Sequence, residues 1–159
     1  MMSEKMNIKI KKLHPDAIIP KYATKGSACF DLHACLDEHV RELFGYIEID
    51  GDRSVNFAVV NTQLTFEIPE GYAMMIYSRS GHGFNHNVRL GNIVGVVDSD
   101  FRGPVKVKLT ADKGGSLVIN HSDRIAQAMI IPINQVEFEE VNELSETERG
   151  QGGFGSTGK

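Results

Sequence analysis

The sequence predicts an all-β subunit on three observations: short stretches in which apolar and polar residues alternate, turn formers set between them, and little helical periodicity. "NIKIKKL" from Asn7 alternates first. "DEHVRELF", from Asp37 to Phe44, is the one place where a short helical turn is expected. "GYIEI" and "RSVNF" follow as two strands joined at Asp50-Gly51, a hairpin signal. "QLTFEI" from Gln63 ends at the turn Pro69-Glu70-Gly71, and "VKVKL" from Val105 ends at the turn from Asp112 to Gly115. "SLVIN" from Ser116 and "QVEFEEV" from Gln135 alternate again. Many short strands at regular spacing fit a sandwich, a jelly roll or a barrel.

Two stretches break the alternation. "RIAQAMIIPI", Arg124 to Ile133, is apolar apart from Arg124 and Gln127, as expected of a strand buried on both faces or against another subunit. "GNIVGVVDSD", Gly91 to Asp100, is similarly apolar until it ends in two carboxylates.

The 159 residues suffice for one domain with its own core, and no internal repeat divides them. A formal charge of −4 with interleaved signs argues against nucleic-acid binding as the main role and leaves room for a small anion held by local positive charge. The polar start "MMSEKMNIKIKKL" is unlike a signal peptide, and no apolar run reaches membrane-spanning length, so a cytoplasmic protein without membrane contact is expected. Cys29 and Cys35 then read as buried thiols. His82 and His86 are four apart but lie in "SGHGFNHNVR", whose glycines and asparagines predict a loop; no Cys or carboxylate set completes a zinc site there. His14, His33, His39 and His121 show no ligand spacing either.

The candidate chemistry lies at turns. Asp98 and Asp100 share one side of a strand end, where two carboxylates hold a metal, activate a water or cap a turn. Arg79 stands between Ser78 and Ser80 before Gly81, a setting suited to bidentate phosphate binding and also to a surface ion pair. Arg124 with Gln127, and Arg149 beside the glycines, are further anion donors.

The last stretch, "ETERGQGGFGSTGK", carries G-x-G-x-x-G from Gly150 and G-x-x-x-x-G-K from Gly153. Both fingerprints need a helix after them to present its N–H groups and dipole, and the second needs a Ser or Thr after the Lys; the sequence supplies neither. What remains is a Gly-rich arm whose N–H groups wrap an anion once something orders them.

Taken together, "GSACFDLHA" from Gly26, "SRSGHG" from Ser78, "GNIVGVVDSDFRGPV" from Gly91, "DRIAQAMIIP" from Asp123 and "RGQGGFGSTG" from Arg149 closely resemble, in order, the five motifs of the trimeric deoxyuridine triphosphate nucleotidohydrolases, the dUTPases. The resemblance covers nearly the whole chain except an insertion around residues 38–56. It implies a distorted jelly-roll or β-barrel-like subunit forming a homotrimer, with a core over residues 1–140 and a flexible arm and lid over 141–159. The implied reaction is Mg²⁺-assisted hydrolysis of dUTP to dUMP and pyrophosphate, which limits uracil incorporation into DNA and supplies dUMP for thymidylate synthesis.

Residue by residue, the resemblance makes Asp98 the carboxylate that orients and deprotonates the attacking water. Ser80 is placed near the oxygen between the α- and β-phosphates; Arg79, Gln127 and Arg149 on phosphate oxygens; Gly81 and Gly153 at backbone contacts; Ser156 and Thr157 in the lid. Asn92 reads the uracil edge together with hairpin backbone at Val97, Phe154 stacks on the uracil, and Phe101 stands where the family commonly has Tyr, against the deoxyribose. Mg²⁺ is held by the triphosphate and waters, with Asp31 in a supporting place near those waters or the subunit contact. Ser78 and His82 replace the family's usual Pro and Leu. A dCTP deaminase shares the fold but needs an acid/base Glu near the cytosine, which "VVDSDF" lacks. A regulatory protein partner, switched by lid closure, is compatible with the same residues.

Overall fold

A computed structural model describes residues 6–36, 45–49, 53–113, 115, 117 and 119–156. The helical turn expected at 37–44, the turn at Asp50-Gly51 and the lid residue Thr157 lie outside the described residues.

The strands are β1 (Lys9–Lys12), β2 (Phe30–His33), β3 (Gly45–Ile49), β4 (Arg53–Asn61), β5 (Leu64–Glu67), β6 (Tyr72–Tyr77), β7 (Val88–Leu90), β8 (Val94–Val97), β9 (Lys106–Ala111) and β10 (Arg124–Pro132), with a short helix α1 (Ser80–His86) after β6. Three antiparallel sheets result: β1-β5, β2-β10-β6-β8 and β3-β4-β9-β7. The all-β expectation is met.

Period two explains the layering. In β9, Lys106 and Lys108 face water while Val107 and Leu109 are buried. Leu32, Val60, Leu64, Met74, Leu90 and Ile125 form the centre of the core, each completely or almost completely removed from solvent. Each such side chain stabilises the fold by about 1.5–3 kcal/mol over its exposed state. Thr62 joins them because its hydroxyl donates to the Val105 carbonyl at 2.9 Å and accepts from the Leu64 N–H at 3.2 Å.

β10 lies between β2 and β6, and Ile125, Ala126 and Ala128 are buried, as its apolar run predicts. β8, the other apolar run, is different. It lies at the sheet edge with Val97 packed against the core and Val94 and Val96 exposed on the other face.

Three expectations are corrected. "SGHGFNH" is a helix, not a loop, because Arg79 enters it extended and Asn87 ends it in the left-handed conformation (φ 51°), donating its N–H to the His82 carbonyl. Gly81 and Gly83 suggested a loop, but Asn87 is the stop signal of a short helix. "SLVIN" forms no strand among its described residues; Ile119 is buried and Leu117 half-buried against the core instead. "QVEFEEV" pairs with no strand among the described residues and leaves Val136, Phe138 and Val141 exposed.

Candidate active site

Sheet register builds the first group of polar side chains. Gln127 of β10 is opposite Asp31 of β2 on one side and Tyr77 of β6 on the other. Asp31 therefore reaches the loop that leaves β6. There the Arg79 Nε donates to Asp31 Oδ1 at 3.3 Å, and the Arg124 Nη1 donates to Oδ2 at 3.4 Å. One carboxylate thus holds two guanidinium groups, and with its side chain 18% exposed the pair is better shielded than a surface ion pair. Arg79 also donates from Nη1 to the Arg124 carbonyl at 3.3 Å, and Gln127 donates from Nε2 to the Ser78 carbonyl at 2.9 Å. Ser80 opens α1 beside them and is exposed.

Arg79, Gly81, His82 and Arg124 line an open polar pocket, with Leu117 and Ile119 at its floor. Burial lowers the pKa of His33, which borders this group, with Asp31 opposing the shift and Arg124 and Arg79 reinforcing it. Burial likewise lowers that of His82. The pocket's two guanidinium groups are fixed donors suited to an anion such as phosphate, with Asp31 and Asp123 balancing their charge.

A second group surrounds the far end of β8. The hairpin from β7 to β8 is tied down by the Leu90 N–H on the Ser78 hydroxyl at 2.9 Å and the Gly91 N–H on the Lys108 carbonyl at 2.8 Å. Its tip turns through Ile93 at φ 64°. Gly95 packs closely on β6: a Cβ there would lie 3.1 Å from the Ile76 Cβ. Asn92, Gly95, Val97, Asp98 and Phe101 line one groove. The turn after β8 is closed by the Phe101 N–H on the Asp98 carbonyl at 3.3 Å, and the Phe101 ring lies over Gly103, where a Cβ would approach it to 2.6 Å. Asp98 is exposed at the rim and, among the described residues, makes no side-chain hydrogen bond.

Ser78 joins the β7–β8 hairpin to the first group, but the Asp98 end of the groove lies away from it within one chain. Met74 pairs with Val97, so Asp98 lies level with Ala73, six residues before Arg79 along β6. At about 3.3 Å per residue that places Asp98 and Arg79 about 20 Å apart along the sheet. The arm forms a third group. Arg149 donates from Nε to the Gly152 carbonyl at 2.8 Å, the Ser156 N–H bonds the Gly153 carbonyl at 3.0 Å, and Phe154 is fully exposed.

His82, which the sequence offers only as a histidine without a zinc site, belongs to the first group. It is buried with its Nε2 3.3 Å from Arg79 Nη1. A His three residues after an Arg is a signal only once the segment is known to be helical.

Fold and side chains together define a β protein with a guanidinium cluster at one end of a sheet and a hairpin groove along its edge strand. Comparison with known proteins narrows the class. The family model for dUTPase matches residues 15–158. The deoxyuridine 5'-triphosphate nucleotidohydrolase of Nautilia profundicola is 46% identical over 154 residues, covering 97% of this chain and 100% of its own. That of Helicobacter pylori strain P12 is 40% identical over 153 residues, covering 96% and 97%. Among solved structures, a variant of the Staphylococcus bacteriophage 80alpha dUTPase with dUpNHpp superposes with a TM-score of 0.76 at 23% identity, covering 98% of this chain and 100% of its own. A variant dUTPase from phage phi11 of S. aureus, described as coordinating a structural Mg(II) ion, superposes at 0.69 with 21% identity, covering 89% and 100%. The chain belongs to the dUTPase family.

Proposed function

We propose that the protein hydrolyses dUTP to dUMP and pyrophosphate, in active sites assembled between three copies of the chain. The observation that carries the assembly is the separation of Asp98 from Arg79, about 20 Å apart along the β6/β8 pair. No side chain spans that gap. A site that uses both must take them from different copies, and the exposed apolar faces of β8 and of the 133–141 segment supply surface for such contact.

In this reading Asn92 and the hairpin backbone at Val97 hold the uracil edge, with the tight packing of Gly95 on Ile76 keeping the groove narrow. Phe101, fixed over Gly103, packs on the deoxyribose and leaves no space for a ribose 2′-OH. Asp98 faces open solvent at the groove's rim, where it accepts a proton from a water aimed at the α-phosphorus. Water attack in line with pyrophosphate departure forms the new P–O bond as the bond to the β-phosphate's bridging oxygen breaks. Arg79, Gln127 and Ser80 from another copy, with the Gly81 N–H, hold phosphate oxygens and offset the charge that develops on the leaving group. Arg149, Gly153, Ser156 and Thr157 close over the triphosphate, and Phe154, exposed in the isolated chain, covers the base.

Mg²⁺ belongs to this chemistry as a counter-ion of the triphosphate. Among the described residues no three His, Cys, Asp or Glu side chains gather to hold a metal, and both Asp31 oxygens already accept from guanidinium groups. These residues fit a metal carried by phosphate and water, with Asp31 reaching it only through a water. Bound there, Mg²⁺ would neutralise charge on the pyrophosphate.

A cytoplasmic setting accords with Cys29 and Cys35 as thiols, and among the described residues no helix is long and apolar enough to cross a membrane.

Product analysis with dUTP, dCTP, dTTP and UTP offered separately with Mg²⁺ tests the reading. Monophosphate and pyrophosphate from dUTP alone are expected. Conversion of dCTP to a uracil nucleotide, or turnover of none of the four, overturns it.

A further inference from the structure

His82 is the residue near the phosphate-holding group that the chemistry above does not use. Its side chain is buried on α1, Nε2 lies 3.3 Å from Arg79 Nη1, and Nδ1 is buried with no hydrogen-bond partner. A guanidinium only donates, so the imidazole nitrogen facing it has to accept. A ring that accepts there is neutral, with no proton on Nε2 and its one proton on Nδ1.

Arg79 is thereby gripped on three sides, by the Asp31 carboxylate at Nε and by the Arg124 carbonyl and the His82 ring at Nη1. Asp31 and the Arg124 carbonyl hold the guanidinium at two nitrogens, and the His82 ring adds the third contact. The two contacts at Nη1 fix its plane and leave Nη2 as the terminal nitrogen with no hydrogen bond among the described residues.

We infer that His82 is a positioning residue for the dUTPase reaction, acting through Arg79: its neutral ring holds the guanidinium in the orientation that receives phosphate, and its protonation releases that hold. The inference rests on the dUTP-hydrolysis reading above. On protonation Nε2 becomes a donor, the contact with Nη1 turns into donor against donor, and a second cation stands 3.3 Å from the first. The groups facing the ring are Arg79 in the loop after β6, His86 on α1 itself, and Asp123 and Arg124 at the entry to β10. Burial is the largest influence and favours the neutral ring; Arg79, His86 and Arg124 act in the same direction, and Asp123 opposes them. The folded-state pKa therefore lies below the ordinary 6.5, so the hold is complete above pH 6.5 and is lost as the pH falls through the lower folded value.

The test uses the full chain with dUTP and Mg²⁺, and compares pH profiles of kcat/KM for the wild type, His82→Gln and His82→Leu. Gln keeps an acceptor for Arg79 but does not titrate; Leu keeps the volume and removes the acceptor. At about pH 8, where the ring is neutral, His82→Leu is expected to lose about tenfold in kcat/KM, mostly through KM, while His82→Gln stays within about threefold of wild type. On the acid side the wild type is expected to show one ionisation more than either variant. Equal profiles in all three proteins, or an undiminished His82→Leu at about pH 8, would overturn the inference. If His82→Leu does not fold, the missing ionisation in His82→Gln decides. Long-range ¹H–¹⁵N NMR of the His82 ring, assigned by its loss in His82→Gln, reads the geometry without turnover. A proton on Nδ1 is expected, and a proton on Nε2 would refute it. Absence of any wild-type dUTP turnover would remove the functional reading, while the NMR result would still decide whether His82 accepts from Arg79.

Discussion

Asp31 and Asp98 are both motif carboxylates at strand positions, yet the fold treats them in opposite ways. Asp31 lies on β2, at the opposite edge of the same sheet from β8, facing Gln127 across the register with each oxygen on a guanidinium. Asp98 stands exposed just past the end of an edge strand with no side-chain hydrogen bond among the described residues. The Asp31 group, one half of the proposed site, is therefore formed within one chain: register sets Arg124 and Gln127 beside Asp31, and the loop after β6 brings Arg79 to it. The second half is open. A carboxylate that serves as a base has to meet water, and a carboxylate that organises arginines has to be kept from it.

The largest expected effect breaks the open half. Asp98→Asn should fold with an unchanged melting temperature and bind dUTP, but lose about 10³-fold or more in kcat, measured by pyrophosphate release. Retained turnover would remove Asp98 from the mechanism. Mixing Asp98→Asn with Arg79→Ala and allowing subunits to exchange sharpens the point, since sites drawn from two copies should restore activity in about a quarter of them. No recovery on mixing would mean that both residues serve a site within one chain.

Removal of the arm from Arg149 onward comes next. Among the described residues its hydrogen bonds run within the arm or to Thr147 just before it, and none reaches the sheets, so the core should keep its stability and its sedimentation behaviour. Turnover should fall by about 100-fold through loss of phosphate donors. A truncated protein with full activity would contradict the lid.

Breaking the prebuilt half should show in stability as well as rate. Asp31→Ala leaves two guanidinium groups without their carboxylate and should cost about 1–3 kcal/mol in urea unfolding. The same substitution at Asp98 should change stability by less than about 0.5 kcal/mol, because nothing depends on its side chain for a partner. Equal costs at the two positions would erase the distinction between the halves.

The strands and turns were legible because period-two alternation and Pro, Gly and Asp signals are local. β9 reads as Lys-Val-Lys-Leu and folds with the valine and leucine inward. Legibility failed where a local signal was outweighed. Gly81 and Gly83 argued for a loop, but α1 forms, ended by Asn87 in the left-handed conformation and with His82 as its one buried residue. "QVEFEEV" alternates as a strand should, yet no strand of its own chain meets it among the described residues; alternation shows that a segment is suited to pairing and does not identify the partner.

The sequence by itself determined the all-β class, the five motifs and the types of side chain available for phosphate and base, since these depend on residue identity and short spacing. Only the tertiary structure decided which of those residues meet. Antiparallel register draws Asp31, Arg79, Arg124 and Gln127 together from positions nearly a hundred residues apart and adds His82 to them. The same register, running β6 against β8, carries Asp98 to the opposite end, because a strand lays its residues out along a line and cannot fold back to join its own ends.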